Sequence, residues 1–294
     1  MTDVLFGLSV PASAAPGDDP VALARAAEDL GFDFVSTADH PCGDQPTYET
    51  WTMLSWIAAQ TSRIKVATRV LGVPYRNPAL VAKMAETLDR LSGGRLILGL
   101  GGGYSDDEFR AFGLPVPTPR EKVDGLAEAI EITRGLWSQP SFSFDGRRYR
   151  TVAAQIEPKP AHRIPIWLGT FGNRALAVTG RLADGWIPSL GYAPQEKLPQ
   201  MRERVLTAAR QAGRDPAGIT CALNLQVRVD AGPGADADPS MVAGPPSAVA
   251  AKLAGFVRMG FTALNFILPE PRAEQAGRLA CEVLPEVTAV AAAR

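Results

Sequence analysis

The chain runs to 294 residues, 46% of them hydrophobic and 21% charged, with 30 basic against 31 acidic side chains and a formal net charge of −1. That is ordinary globular composition, long enough for one α/β barrel or for two smaller domains. With both charge signs dispersed there is no footprint for nucleic acid or an anionic membrane, because phosphate surfaces require clustered Lys and Arg. The three cysteines, Cys42, Cys221 and Cys281, are odd in number and far apart. They argue against a disulfide framework or a Cys-rich zinc site and fit a reducing cytoplasm. With His40 and His162 as the whole imidazole content, a multi-histidine metal centre is not expected.

The apolar run at 4–10, followed by the small residues of 11–15, imitates a secretory signal. No Lys or Arg precedes it, Asp3 stands there instead, and the run is short, so it reads as a buried strand. No later stretch approaches the ~20 apolar residues of a membrane helix.

From that strand onward one phrase recurs about eight times: a short apolar strand, a Gly-rich or polar turn, and an amphipathic helix. Strand 4–9 leads to helix 20–30, with Pro20 suited to its first turn and Gly31 ending it. Strand 32–37, helix 48–60, strand 65–71, helix 78–91 and strand 95–100 follow. A short helix near 105–112 precedes a longer one at 120–137. Residues 138–163 break the pattern as an extended insertion with a hairpin turn at Asp145-Gly146, read as capping a neighbouring surface. The phrase resumes with strand 164–169, helix 173–182, strand 185–188, helix 194–213, strand 219–229 and a Gly/Pro loop at 230–239. Helix 246–259, strand 262–268 and helix 273–290 close the chain. Alternation of this kind implies a parallel sheet, and about eight units imply closure into a single (β/α)8 barrel spanning 1–294, with an insertion after the fourth unit. An open doubly wound sheet would carry an early Gly-x-Gly-x-x-Gly turn, which the first turn here lacks.

In a barrel the chemistry belongs at the carboxyl ends of the strands. After the second strand come Asp39 and His40. Asp39 either fixes the tautomer of His40 or caps the following loop, and His40 either exchanges a proton near neutral pH or packs there. After the fourth comes Gly101-Gly102-Gly103-Tyr104, a glycine triplet that lets backbone approach a ligand, or a plain tight turn. Tyr104 is a candidate for stacking or for proton transfer. The fifth ends in Gly169-Thr170-Phe171-Gly172-Asn173, a phosphate cradle at a helix start or an ordinary turn with an Asn cap. Trp186, after the sixth, is either an exposed ring-binding wall or a core plug. Gly72 at the end of the third strand suggests a bulge or a close backbone approach, and Arg76 beyond it either steers an anionic group or is, by default, a surface arginine. Cys42 lacks a charge pattern that would activate it.

Taken together, several strings resemble the luciferase-like monooxygenase superfamily of flavin and deazaflavin oxidoreductases. They are Ala38-Asp39-His40, Arg63-Ile64, 74–78, Leu88-Asp89-Arg90-Leu91-Ser92-Gly93-Gly94-Arg95, 99–104 with Glu108-Phe109, Ile166-Trp167-Leu168-Gly169 and Ala183-Asp184-Gly185-Trp186. The likeness runs from about residue 3 to 268 and is greatest to the branch that uses coenzyme F420, a 5-deazaflavin. The resemblance implies a homodimeric barrel whose cofactor ring lies against a bulge in the third strand, where Arg69-Val70 matches a bond that is often cis. It implies a cofactor phosphate at Gly101, Gly102 and Gly103 and at Gly169, Thr170, Phe171 and Gly172, with Trp186 along the ring or tail. Asp39 and His40 match the pair beside the ring, and His40 is the expected proton donor or acceptor.

Two departures stand out. The deazaflavin enzyme that oxidises glucose 6-phosphate has a glutamate where this chain has Tyr104, which ionises far less readily, so that sugar phosphate is not the expected substrate. Thr170 stands where relatives often have glycine and adds a hydroxyl near the phosphate. The leading expectation is F420-dependent hydride transfer to or from a small organic molecule. The alternatives are an FMN-dependent monooxygenase served by a separate reductase, and a non-catalytic flavin-binding barrel. Substrate specificity is expected in the loops at 42–47, 114–120, 138–163 and 230–245.

Overall fold

A computed structural model describes residues 4–230 and 240–292. The first half supplies β1 (Leu5–Ser9), α1 (Pro20–Asp29), β2 (Phe34–Thr37), α2 (Thr50–Gln60), β3 (Lys65–Thr68) and β4 (Leu71–Gly72). Next come α3 (Pro78–Leu91), β5 (Leu96–Gly101), α4 (Asp106–Ala111), α5 (Pro119–Ser138) and the hairpin of β6 (Phe142–Asp145) and β7 (Arg150–Ala154). The second half supplies β8 (Ile166–Leu168), α6 (Asn173–Leu182), β9 (Gly185–Trp186), α7 (Leu198–Gln211) and β10 (Thr220–Val229). The chain ends with β11 (Met241–Gly244), α8 (Pro246–Arg258), β12 (Ala263–Ile267), α9 (Arg272–Arg278), a π-helical turn (Leu279–Val283) and α10 (Leu284–Ala292).

The strands pair in parallel in the order β12-β1-β2-β3-β5-β8-β9-β10, and β10 pairs again with β12 to close an eight-stranded barrel. Three details depart from the pattern in the sequence. The third strand is split into β3 and β4 around a cis Arg69-Val70 peptide, and β4 pairs with the outer half of β5. Residues expected as loop form β11, which adds to β10 outside the barrel; residues 231–239 of that loop lie outside the described residues. The closing helix is interrupted by the π-helical turn just before Pro285, a residue without an amide to donate to the helical ladder.

Filling the barrel decides its shape. Phe34 and Trp167 meet edge to face at 5.6 Å within the interior, among Ala67, Ile97, Ala222 and Ala263. They fit because facing strands withdraw: a Cβ on Gly7 would land inside the Phe34 ring, and one on Gly185 against the Trp167 indole. Large residues on some strands and glycines on their neighbours form one packed layer, as barrel interiors require.

The amino ends of the strands are tied by polar staples. The Arg95 guanidinium donates to the carbonyls of Ala58 (2.6 Å), Ile64 (3.0 Å) and Ser92 (2.7 Å). Asp89 accepts from the Leu96 amide at 3.2 Å and pairs with His162 at 2.9 Å, and burial pushes its carboxyl pKa up. Asp184 accepts from the Ile166 amide (2.9 Å) and from Arg134 (2.8 Å), and also pairs with Arg163. Glu28 accepts the amides of Ser62, Arg63 and Ile64; burial pushes its pKa up, but these donors outweigh it and hold the carboxyl below the usual range.

The insertion does not cap the barrel mouth. Its hairpin lies on the outer wall, where Phe142 and Phe144 pack with Ile132, Leu136 and Trp137 of α5 and Ala82 of α3. The turn is pinned by Glu128, which accepts the amides of Arg147, Arg148 and Tyr149 at 2.8–2.9 Å. No helix among the described residues is long and apolar enough to cross a membrane.

Gly7→Ala is expected to overpack the interior and cost about 1–3 kcal/mol in urea unfolding. Gly218→Ala, at a position with nothing within 4 Å of the added methyl, is the matched control and should stay within about 0.5 kcal/mol of the parent.

Candidate functional site

A cavity of about 330 Å³ opens at the carboxyl ends of the strands. Its floor is Val70, which sits beyond the cis peptide and under two glycines: an added Cβ would stand 2.6 Å from Val70 Cγ2 at Gly101 and 3.1 Å from it at Gly169. Side chains at those two positions would displace the floor. Gly103 has φ +87°, a conformation that favours glycine, and turns the chain over the Phe109 ring toward Tyr104.

Asp39 follows β2 with its side chain fully buried. It accepts from the Gly72 amide at 2.9 Å and from both terminal nitrogens of Arg76, at 2.8 and 3.0 Å. That bidentate pair is the strong form of an Arg–carboxylate contact and locks the bulge after β3 to the end of β2. Arg76 therefore is no loose surface residue. Burial alone would push its pKa down, but the hydrogen bonds and charges of Asp39 and Glu49 hold it above the usual value.

His40 is oriented by a different acid from the one expected. Its Nδ1 lies 2.9 Å from Glu108 Oε1, and the Tyr75 hydroxyl donates to Glu108 Oε2 at 2.5 Å. Burial first, and the Glu108 hydrogen bond second, push the Tyr75 pKa up, so the phenol remains a donor at neutral pH. An ionised carboxylate only accepts, so His40 donates through Nδ1–H and its Nε2 is left for other chemistry. Asp39, spent on Arg76 and Gly72, does not fix this tautomer. The functional reading of Glu108 was hidden in the sequence because Ser105-Asp106-Asp107-Glu108 looks like a capped, acidic helix start, which it also is: Ser105 Oγ accepts the Glu108 amide at 3.3 Å.

Three rings edge the mouth. Tyr104 meets His40 edge-on at 6.3 Å and Tyr192 at 5.7 Å, and Tyr192 meets Phe171 at 5.8 Å. Tyr192 had no signal in the sequence, lying in a loop after a very short strand. A chain of side chains runs from the buried Ser36 through Asn265 and Asn224 to Ser189 on the cavity lining, with links of 2.9, 2.7 and 2.9 Å.

Two expected ligand contacts are placed elsewhere. Trp186 is fully buried, donates Nε1–H to the Thr170 carbonyl at 2.9 Å and stacks on Phe261, because its side chain turns into the layer beneath the helices. It is the core plug and not a ring wall. The Thr170 hydroxyl is paired at 2.7 Å with that of Thr179 in α6 and is buried, so it faces away from the cavity. Gly172, not Asn173, is the N-cap of α6; it carries no side-chain hydrogen bond, and space beside it is open. The helix start beside the cavity thus keeps its amides available for an anion. Gly102 lies against Lys122 at the rim, and Phe171 lines the opening.

The family model for luciferase-like monooxygenases matches residues 5–239. The chain is 34% identical over 219 residues to the F420-dependent glucose-6-phosphate dehydrogenase of Nakamurella multipartita, covering 71% of this chain and 64% of that relative's length. Among solved structures it superposes on an F420-dependent secondary alcohol dehydrogenase in complex with an F420-acetone adduct, with a TM-score of 0.86 at 20% identity over 97% of this chain and 99% of the other. It also superposes on the coenzyme F420 dependent tetrahydromethanopterin reductase of Methanopyrus kandleri, with a TM-score of 0.82 at 22% identity and the same coverage. At such identities the superpositions establish the barrel and nothing finer.

The His40–Glu108–Tyr75 arrangement makes a spectroscopic prediction. In the parent protein the ¹⁵N shifts of neutral His40 should report a proton on Nδ1. In Glu108→Ala they should move toward the Nε2–H tautomer, and Tyr75→Phe should give a smaller change of the same sign.

Proposed function

The chain belongs to the luciferase-like monooxygenase family, and from that premise we propose that it is an F420-dependent oxidoreductase that moves hydride between the deazaflavin and a small organic molecule. The observation that carries this reading is that His40, held by Glu108 in one tautomer, shares a cavity with the glycine-flanked floor at Val70. When bound, F420 supplies two-electron hydride chemistry.

The residues present fit such a group. The Val70 floor is apolar and cleared of side chains by Gly101 and Gly169, which suits the face of a fused ring. The α6 start at Gly172 and the turn at Gly101-Gly102-Gly103 would hold the phosphate through backbone amides. His40 Nε2 would give or take the proton that accompanies hydride transfer, while Glu108 keeps the ring turned. Tyr75 holds Glu108, and Asp39 with Arg76 holds the bulge that carries Val70. Tyr104, exposed at the rim and edge-on to His40, would cover the reacting atoms from water. The sugar phosphate in the relative's name is not part of this reading, because the phenol of Tyr104 does not replace a carboxylate as an acid.

Fluorescence titration of the protein with F420 and, separately, with FMN tests the cofactor. F420 is expected to bind at least tenfold more tightly; tight binding of FMN alone would sink the proposal. With F420 bound, His40→Ala is expected to lower turnover about 100-fold or more while changing F420 affinity only a few-fold. Unchanged turnover would remove His40 from the reaction.

A further inference from the structure

Two arginines stand at the third strand's bulge, and they are treated in opposite ways. Arg76 is saturated by Asp39 and Glu49. Arg69, which lines the cavity, has no ion pair among the described residues. Among the described residues its one side-chain hydrogen bond runs from Nη2 to Ser9 Oγ at 3.3 Å, and its buried Nε has no partner. Burial pushes the guanidinium pKa down to about 10, with the neighbouring Tyr192 phenol acting against the shift, so the group is still charged at neutral pH. Arg69 is half-buried as a whole, and a cation with a buried, unpaired donor is costly unless a ligand completes it.

The direction of the side chain separates it from the phosphate cradle. The backbone of Arg69 belongs to the floor, but its guanidinium reaches Ser9 at the end of β1, and β1 lies diametrically opposite β8 in the barrel order. The glycine turns proposed for the cofactor phosphate follow β5 and β8, on the other side of the mouth. The charge count limits what could sit there: Asp39 is already neutralised by Arg76, which leaves Arg69, among the described residues, as the single permanent cation lining the cavity. One cation matches a monoanion, and a planar fork matches a carboxylate.

We propose that Arg69 is a specificity-determining residue whose guanidinium, between Ser9 and Tyr192, receives a carboxylate of the organic substrate across the barrel mouth from the cofactor's cradle. This rests on the F420 reading for its orientation, yet the anion site itself is open to test without the cofactor.

The test uses ¹⁵N-labelled protein with and without F420, with butyrate and 1-butanol as probes and inorganic phosphate as a third arm. The Arg69 Nε–H resonance, assigned by its loss in Arg69→Met, is expected to shift saturably with butyrate and to stay in place with butanol. Butyrate should bind at least tenfold more tightly than butanol, a preference reduced in Arg69→Lys and abolished in Arg69→Met. Equal affinity for the two probes, or a preference that survives in Arg69→Met, would overturn the proposal. So would tighter binding of phosphate than of butyrate, or a tenfold loss of F420 affinity in Arg69→Met, which would assign the cation to the cofactor. If F420 fails to bind while the apo protein keeps the butyrate preference, the cofactor reading fails and the carboxylate site stands.

Discussion

Everything at the mouth of this barrel depends on how its interior is filled. Eight strands enclose room for only a few large side chains, and here Phe34 and Trp167 take it, meeting edge to face at 5.6 Å. They can do so because Gly7 and Gly185 leave the space their Cβ atoms would occupy. Gly99 extends the same logic upward: a Cβ there would strike the Thr68 carbonyl, and Thr68 Oγ1 bridges to the Gly99 carbonyl at 2.7 Å. The packed layer ends at that height. Val70 packs on that layer, so the floor of the cavity rests on the size of buried interior residues.

The most conspicuous strings of the sequence serve this scaffold more than the chemistry. The segment from Leu88 to Arg95 places Asp89 on the Leu96 amide and Arg95 on the carbonyls at the end of α2. Gly93 and Gly94, both at positive φ, turn the chain between them. In Ala183-Asp184-Gly185-Trp186 the last three residues all build the frame. Asp184 is a hub for Arg134 and Arg163, Gly185 leaves space for Trp167, and Trp186 plugs the core against Phe261. All these staples sit at the amino ends of strands or beneath the helices, the side of a barrel associated with stability.

Electrostatics at the opposite face divide into closed and open arrangements. Asp39 with Arg76 is closed: every oxygen is met, and the pair acts as a rivet between β2 and the bulge. Glu108 is shared between Tyr75 and His40, which leaves one imidazole nitrogen uncommitted. Arg69 is open, with a buried Nε that the described residues do not satisfy. Rigid pairs hold the frame and incomplete ones face the cavity, the division expected of a preorganised site.

The period of the hydrophobic pattern was enough to recover the barrel, because each strand and helix buries a face whose spacing is visible along the chain. Glycine turns and the Asp39-His40 pair were legible for the same local reason: they follow strands directly. What the sequence could not decide was which acid serves which base. Glu108 reaches His40 across 68 positions and Arg76 reaches Asp39 across 37, and such pairings exist only once the strands are placed side by side. Nor could it orient a side chain at a strand end, where one residue's rotation separates cavity from core; Trp186 and Thr170 point inward to packing, while Arg69 points across the mouth. Composition and periodicity determined the architecture because they act locally and add up. Partners and directions belonged to the tertiary structure, because they depend on distances that no local pattern encodes.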